Sequence, residues 1–511
     1  MKTKGMAHQV AGLQRCEGRD FYAFFMEQGT GKTWLTLADM ERMWFAGEID
    51  AALVLAPRGV HTNWVKREIP THMSAPVLAR AWKTGAGKRA MAKIEDVLAD
   101  REDSDPLRVL SMNIDAVMTK AGHALAVRFL RARRCLIVMD ESSRIKSPDA
   151  RRTQIATRLR RSAVKARILS GTPINNAPMD VFSQMEFLSP GLLGTTSYRA
   201  FVAEFAELMS PHHPMMAALI RANPMVAKAQ VVAKNPDGTP RWRNLDKLQR
   251  LLEPHSFRVL KRDCLDLPEK IYKVVDFELT PELRKAYDLM REELRIELPS
   301  DIDGEDDRVV TVAELSATLK LQQITSGFVM LPGGEQRLVS EDNPRIKALM
   351  EVVNDVDGKF IVWARFRAEL ELAAAALRAA GIEVVEYHGG TSERDREAAI
   401  DAIQTGTARA FVGQPQAGGI GITLTAAETS IYLSNDFNRE TRRQSEDRNH
   451  RIGTRGHIVY IDIVAEDTVD EGIARALRRK DALASLILGD GVSRAAPEVG
   501  ENASTKKGTA Q

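Results

Sequence analysis

Short apolar runs alternate with helix-like stretches along the first 190 residues of the chain. Phe21–Met26, Ala51–Pro57 and Cys135–Met139 are almost entirely apolar. Continuous apolar runs of this length are typical of strands that are buried on both faces of a parallel sheet. Because helical patterns separate them, residues 1–190 are predicted to form one doubly wound parallel α/β sheet.

Helical periodicity dominates residues 191–345, so this region is not predicted to continue the sheet. Polar stretches interrupt the helical pattern at residues 234–240 and 299–307. We therefore predict a mainly helical insertion and bridge, in which Asp301–Asp307 forms an exposed acidic loop.

A second α/β pattern occupies residues 346–490. Lys359–Trp363, Val384–Tyr387 and Ala408–Val412 resemble strands, and a helix rich in alanine and leucine lies between the first two. The predicted fold class is therefore α/β, with two parallel-sheet lobes and a mainly helical insertion between them. Large apolar residues become rare at the end of the chain, and residues 491–511 are predicted to be a disordered tail.

Length and composition indicate a multidomain globular protein. A chain of 511 residues is expected to contain two or three domains, at about 150 residues per domain. No apolar run approaches the roughly 20 residues of a membrane span, and the first residues lack the apolar core of a signal peptide. Cys16, Cys135 and Cys264 are isolated from one another, which disfavours a zinc module or a disulfide framework and suits a reducing cytoplasm.

A glycine-rich motif follows the first apolar run and precedes a helix-like segment. Its residues are Gly29, Thr30, Gly31, Lys32 and Thr33. Such glycines let backbone N–H groups point at a phosphate, and the helix N-terminus attracts the anion. Lys32 would reach the β- and γ-phosphates of a nucleotide, and the Thr33 hydroxyl would bind Mg²⁺. Met26 stands where the complete phosphate-loop pattern has glycine, and the alternative is an ordinary glycine turn.

Two further apolar runs end in polar residues that could act on a bound nucleotide. Asp140 and Glu141 directly follow one run, at the strand end where ligands bind in open α/β sheets. Asp140 could hold Mg²⁺, and Glu141 could orient and deprotonate the attacking water, although adjacent acids also occur in turns. Ser170 and Thr172 follow the next run, where they could sense the γ-phosphate or simply close a turn.

The second half of the chain contains two more candidate segments and no second phosphate loop. Residues 416–425 are rich in glycine and small polar groups, including Gly419, Gly421 and Thr423, and would allow close approach to a phosphate chain. Arg448 and Arg451 lie three positions apart, on one face of a predicted helix. Two converging guanidinium groups suit a developing phosphoryl charge, although arginines on helices usually face solvent.

Net charge does not by itself indicate a nucleic-acid partner, because it is only +3. Basic residues are nevertheless clustered: Arg128–Arg167 contains thirteen lysines or arginines and three acids. Such a cluster could follow the phosphates of a nucleic acid. A solvated helix face is the equal alternative.

In this order, the segments resemble the motifs of superfamily II helicase-like ATPases. His8-Gln9 resembles the Q motif, MEQGTGKT motif I, LVLAPRGVHTNW motif Ia, MDESSRIKS motif II and SGTPINN motif III. FIVWARF, AGGIGITLTAAE and QSEDRNHRIG resemble motifs IV, V and VI. SGTPINN, RNHRIG and residues 261–270 are most similar to the Swi/Snf-related DNA translocases within that superfamily.

The resemblance implies two RecA-like lobes with ATP and Mg²⁺ in the cleft between them and DNA across both. Gln9 would contact adenine, and Gln444 would act from the second lobe together with the two arginines. Ser143 and Thr423 stand where the family commonly has histidine and asparagine. The compact chain resembles bacterial or bacteriophage members, and a cytoplasmic location follows by analogy.

The expected function is a DNA-dependent ATPase that couples hydrolysis to translocation along duplex DNA. The alternatives are a helicase that separates DNA or RNA strands and a nucleotide-regulated binding module without turnover. A third is an ATPase that remodels a protein without nucleic acid. No membrane association is expected, and the sequence specifies no protein partner.

Overall fold

The computed structural model describes most of the chain. The described residues are 1–490 except 59, 84, 86–87, 100–105, 211, 214–215, 217–229, 236–238, 298–311, 332–334, 417–421, 452 and 455. The predicted acidic loop at 301–307, the glycines at 419 and 421, and the predicted tail at 491–511 therefore lie outside the described residues.

The first lobe contains a seven-stranded sheet in the order β3-β4-β2-β5-β6-β1-β7, and all neighbouring strands are parallel. Its strands are Phe21–Met26 (β1), Ala51–Ala56 (β2), Val77–Trp82 (β3), Leu107–Asn113 (β4), Cys135–Asp140 (β5), Lys165–Ser170 (β6) and Ser256–Val259 (β7). The described α-helices up to residue 205 are Ala7–Cys16, Lys32–Phe45, Val60–Asn63, Ile69–His72, Lys88–Leu98, Lys120–Arg131, Arg151–Arg160, Phe182–Leu188 and Tyr198–Phe205.

The central strands of this sheet are apolar on both sides because helices cover both faces. Phe25, Leu53 and Ile137 belong to the hydrophobic cluster on one face. Phe24 and Val54, adjacent to them in sequence, belong to the cluster on the other. This two-sided burial explains why the strands are continuous apolar runs in the sequence.

The second lobe contains a six-stranded sheet in the order β12-β13-β11-β14-β15-β8, again with all neighbours parallel. Its strands are Lys270–Phe277 (β8), Lys359–Trp363 (β11), Val384–Tyr387 (β12), Ala410–Gly413 (β13), Ala427–Tyr432 (β14) and Ile458–Ala465 (β15), and a hairpin adds Phe328–Met330 (β9) and Gln336–Leu338 (β10). The remaining described α-helices are Leu245–Leu252, Lys261–Cys264, Pro281–Glu297, Val312–Thr325, Pro344–Asn354, Arg367–Ala379, Glu393–Gln404, Arg439–Glu446 and Val469–Leu488. The predicted pair of parallel-sheet lobes is confirmed.

The segment 191–345, predicted to be mainly helical, also contributes one strand to each sheet. Strand β7 pairs with β1 in the first lobe, and β8 pairs with β15 along all eight of its residues in the second. The sequence prediction missed both strands. β7 is only four residues long, and β8 is a sheet edge with exposed positions and therefore lacks a continuous apolar run.

The last helix among the described residues, Val469–Leu488, connects the lobes. Ala484 and Ile487 near its end pack into a hydrophobic cluster of the first lobe. Asp490 then forms an ion pair with Arg258 of β7, with a separation of 2.7 Å between Arg258 Nε and the carboxylate. The second lobe is thus attached to the first at the end of this helix, which also contacts the helix Arg439–Glu446 through the Arg439–Asp481 ion pair.

Candidate functional site

The phosphate loop connects the end of β1 to the helix Lys32–Phe45. Gly29 and Gly31 have φ angles of 84° and 83°, a left-handed conformation that favours glycine. The Lys32 ammonium lies over the loop and donates to the carbonyl oxygens of Met26, at 2.8 Å, and Glu27, at 3.3 Å. Thr30 is buried and donates to the Glu27 carbonyl at 2.8 Å. The backbone therefore forms a closed, lysine-containing cradle between a strand and a helix.

Gln9 lies directly behind this loop. Its Nε2 donates to the Gly31 carbonyl at 3.3 Å, and its Oε1 accepts from the backbone N–H of Met6 at 2.7 Å. A Cβ atom at Gly31 would come within 2.0 Å of Gln9 Nε2, so the contact requires glycine. His8 Nε2 lies 2.8 Å from the Thr30 carbonyl. Gln9 thus supports the loop, and its predicted contact with adenine stays a prediction.

Asp140 and Glu141 lie at the carboxyl end of β5, close to Lys32. Trp64 Nε1 donates to Asp140 Oδ2 at 2.9 Å, and the Glu141 N–H donates to Asp140 Oδ1 at 3.0 Å. Burial raises the pKa of both carboxyls, and Lys32 opposes that shift in each. Glu141 has a left-handed φ of 53°, which turns the chain sharply after the strand. The sequence reasoning did not assign Trp64 to the site.

The donor set around these acids fits a divalent cation. Carboxylate and hydroxyl oxygens are the protein ligands that Mg²⁺ prefers. Asp140 supplies a buried carboxylate, and Thr33 supplies a hydroxyl from the first turn of the helix that begins at Lys32. Because the pKa of Asp140 is raised despite the nearby ammonium, an additional positive charge would stabilise its ionised form.

Arg448 is a buried arginine of the second lobe that acts electrostatically on Glu141. It is only 2% exposed, and burial, followed by repulsion from Arg451, lowers its pKa to about 10. The positive charge of Arg448 also lowers the pKa of Glu141, as a weaker influence than burial and Lys32. Arg451 lies beside it and donates from Nη1 to Thr423 Oγ1 at 3.2 Å. Within the described part of the chain, the Nε atoms of both arginines are buried without a hydrogen-bond partner.

The remaining predicted residues fall into two groups. Ser170 Oγ accepts from the Thr172 N–H at 3.1 Å, and both residues are buried, as in the turn alternative. Gln444 lies on the cleft helix Arg439–Glu446 and donates from Nε2 to Glu440 Oε1 at 3.0 Å. No contact between Gln444 and the phosphate loop is recorded for the described residues.

Other contacts across the cleft were not predicted from the sequence. Arg443 of the cleft helix donates to Glu27 Oε1 at 2.7 Å, and the Lys261 N–H donates to Glu27 Oε2 at 2.8 Å. Burial alone would raise the pKa of Glu27, but Arg443 and Arg258 lower it to about 2. A charged pair thus joins the residue after β1 to the opposite lobe.

The predicted basic cluster is not one free basic surface. Six of its side chains form ion pairs with acids of the first lobe: Arg128 with Glu95, Arg134 with Asp50, Lys146 with Asp180, Arg152 with Asp115, Lys165 with Asp20 and Arg167 with Asp39. Much of the cluster therefore has a structural partner, and phosphate binding by the rest stays a prediction.

The fold and the cleft together define a helicase-like protein with two parallel-sheet lobes. The SNF2-related domain model matches residues 23–326, and the helicase conserved C-terminal domain model matches residues 344–453. Since the first match covers more than half of the chain, the chain belongs to the SNF2-related family. The resemblance inferred from the motifs is confirmed.

Individual matches are distant in sequence, and the curated relatives are much longer than this chain. An uncharacterised ATP-dependent helicase of Mycoplasma pneumoniae is 25% identical over 361 residues, which are 70% of this chain and 31% of that protein. Protein CHROMATIN REMODELING 4 of Arabidopsis thaliana is 24% identical over 518 residues, 94% of this chain and 21% of that protein. The Sulfolobus solfataricus SWI2/SNF2 ATPase core, solved in complex with dsDNA, is 22% identical with a TM-score of 0.39, over 96% of this chain and 94% of that one. This chain spans less than a third of the two curated relatives.

Other classes of site are not seen in the described residues. None of their helices combines the length and apolar character that crossing a membrane requires. They contain no group of three or more histidine, cysteine, aspartate or glutamate side chains arranged to hold a metal ion. All three cysteines are free thiols, and two of them are buried.

Proposed function

We propose that this protein is a DNA-dependent ATPase that uses hydrolysis to move along duplex DNA. The main support is that hydrogen bonds hold the helix that precedes Arg448 against the two turns that carry Lys32 and Glu141: Arg443 donates to Glu27, and Glu440 accepts from Ser143. Such an arrangement suits a triphosphate held between the lobes. Membership of the SNF2-related family and the presence of an ATP-dependent helicase among the relatives also support an ATPase function.

Each residue would have a distinct role. Lys32 and the N–H groups of the loop bind the β- and γ-phosphates, while Gln9 and Gln444 approach the nucleotide from opposite lobes. Asp140 and Thr33 hold Mg²⁺, which supplies charge neutralisation at the phosphates when bound. Glu141 orients the attacking water and accepts its proton; its raised pKa makes it a stronger base than an exposed glutamate.

Arg448 and Arg451 would stabilise the charge that develops on the transferred phosphoryl group. Burial lowers the pKa of both guanidinium groups, but that of Arg448 still lies at about 10, so it is charged at neutral pH. Because the phosphates would contact both lobes, bound ATP would favour the closed arrangement of the two lobes. Hydrolysis would then allow the lobes to separate. If each lobe binds the DNA backbone at a different phosphate, one cycle of hydrolysis moves one lobe along the strand. Because the contacts are with phosphates, this movement is largely independent of the base sequence.

The test is ATP hydrolysis by the full chain with duplex DNA, single-stranded DNA, RNA or no polynucleotide. We expect duplex DNA to stimulate turnover most, and the stimulation to fall steeply with added salt because phosphate contacts release counterions. Lys32→Ala is the control for contaminating ATPases. Equal rates with and without polynucleotide would contradict the proposal and favour an ATPase that remodels a protein. No turnover under any condition would favour a binding module.

Strand separation is the second candidate, because a relative carries the name of a helicase. An unwinding assay on a tailed duplex, run beside the hydrolysis assay, separates the two. Translocation without strand separation predicts displacement of a triplex-forming strand but no release of single strands from the duplex. We also propose a bacterial or bacteriophage source and a cytoplasmic location, which the free cysteines support.

A further inference from the structure

Glu440 is a carboxylate of the second lobe whose contacts are mainly with the first. Its Oε1 accepts from Ser143 Oγ at 2.9 Å, and its Oε2 accepts from Asn175 Nδ2 at 2.9 Å. Gln444 of its own helix also donates to Oε1. Ser143 and Asn175 are 2% and 1% exposed, so these hydrogen bonds are shielded from water.

The two partners of Glu440 belong to the two turns that border the candidate site. Ser143 lies two residues after Glu141, in the 3₁₀ turn Ser142–Ile145, and Asn175 follows the end of β6. Since β5 and β6 are neighbouring parallel strands, their carboxyl ends lie side by side. One side chain of the opposite lobe therefore links both turns at the edge of the sheet where the acids lie.

The turn at Ser143 is directly coupled to the conformation of Glu141. The Glu141 carbonyl accepts from the Arg144 N–H at 3.0 Å, and the Ser143 carbonyl accepts from the Lys146 N–H at 3.3 Å. Glu141 itself has the left-handed φ of 53°, which must be held by its surroundings. Anchoring Ser143 from across the cleft consequently restrains the backbone that aims the Glu141 carboxylate.

The position of Glu440 does not depend on its own side chain. Asn438 caps the cleft helix by accepting from the Glu440 N–H at 3.0 Å, and Arg439 Nη1 donates to the Ile174 carbonyl at 2.7 Å. The Arg443–Glu27 pair further holds the helix against the first lobe. Loss of the Glu440 carboxylate should therefore leave the helix start and the lobe contact in place.

We infer that Glu440 is a positioning residue that couples closure of the second lobe to the orientation of Glu141, through Ser143 and Asn175. Ser143 stands where the family commonly has histidine, and the sequence alone indicates no hydrogen-bond partner for it. The structure supplies a partner from the other lobe. The inference rests on the proposed ATPase function, because its consequence is a change in the rate of hydrolysis.

A double-mutant cycle on duplex-stimulated ATPase activity tests this inference. Glu440→Ala should lower kcat about tenfold and leave the KM for ATP within about twofold, because a charge-assisted hydrogen bond is lost while the phosphate contacts are kept. Ser143→Ala should lower kcat about threefold. The double variant should be no slower than Glu440→Ala, because both changes break the same contact.

Two further variants separate positioning from a general structural role. Glu440→Gln keeps the volume and one acceptor oxygen, so its kcat should lie between those of the wild type and Glu440→Ala. Glu397→Ala removes an exposed glutamate from another helix of the second lobe and should leave kcat unchanged. The melting temperature of Glu440→Ala should stay within about 2 °C of the wild type, in keeping with a helix start that other residues hold.

The outcomes distinguish the inference from the proposed function. Independent, multiplying effects of Ser143→Ala and Glu440→Ala would overturn the coupling, as would an effect of Glu440→Ala confined to KM. Unchanged kcat in Glu440→Ala, with an active wild type, would overturn the inference alone. A wild type without any turnover would overturn both.

Discussion

The two halves of the cleft are built in different ways. The half on the first lobe consists of turns at the ends of buried parallel strands: the phosphate loop after β1, the acids after β5 and the Ser-Gly-Thr turn after β6. The half on the second lobe consists of the polar helix Arg439–Glu446 and the arginines that follow it. Glu440 and Arg443 of this helix bond to the first lobe, whereas Arg442 and Glu446 pair with Asp462 and Lys270 of the second lobe.

This difference has a functional consequence. The first half is held by its own sheet, and the phosphate loop makes its Lys32 contacts within the first lobe. The second half contributes through ion pairs and hydrogen bonds that cross the cleft, such as Arg443 to Glu27. Substitutions on the first side should therefore abolish chemistry outright, while several on the second should alter the coupling between lobes.

The largest effect is expected on the first-lobe side of the cleft. Lys32→Ala removes the phosphate-binding ammonium, and Glu141→Gln removes the base. Both variants should reduce ATP turnover to background while leaving binding to duplex DNA within a few-fold of the wild type. Steady-state hydrolysis and a DNA-binding titration check this. Wild-type turnover in both purified variants would refute the assignment of the acids and the loop.

A smaller effect is expected for Gln9, which lies behind the loop. Gln9→Ala should raise the KM for ATP about tenfold, because the side chain supports Gly31. Comparing ATP with GTP sharpens the assignment: adenine recognition predicts that only the KM for ATP rises. An equal rise for both nucleotides would limit Gln9 to supporting the loop.

The smallest effect on turnover is expected at the Glu27–Arg443 pair, where the main change should be in stability. Glu27→Gln should lower the free energy of unfolding by roughly 1–3 kcal/mol, since the pair is partly screened by solvent. Because the pKa of Glu27 is lowered to about 2, its ionised form stabilises the fold above the ordinary glutamate pKa. That contribution is lost as the pH falls toward 2. Chemical denaturation of both proteins at pH 7 and at pH 3, within this range, measures it, and identical stability at pH 7 would contradict this role.

The same contrast explains how far the sequence predicted the structure. The first lobe could be predicted from the sequence because its strands are buried on both faces. Its phosphate loop could be predicted because strand β1, the glycine loop and the helix Lys32–Phe45 are contiguous in sequence. Strand β8 was missed because it is a partly exposed sheet edge. Trp64 could have been suspected as a partner for Asp140, since a buried indole N–H needs an acceptor.

The contacts across the cleft could not be predicted in this way. Glu440 and Arg443 lie in a helix with no buried apolar side chains, and such a pattern is typical of a solvated surface. Their partners are more than two hundred residues away in the sequence. Only the packing of the two lobes shows that these charged side chains have partners on the first lobe. The domain boundaries at residues 190 and 345 stay predictions, since the segment between them contributes to both sheets.

The most direct test of the two-lobed site is ATP turnover by Arg448→Ala and Arg451→Ala, singly and together, with saturating duplex DNA. If arginines of the second lobe act on a triphosphate bound to the first, the double variant should hydrolyse ATP about a thousandfold or more slowly than the wild type. Its affinity for ATP should change much less, because Lys32 and the loop remain. A double variant within about fivefold of wild-type turnover would contradict a site shared between the lobes.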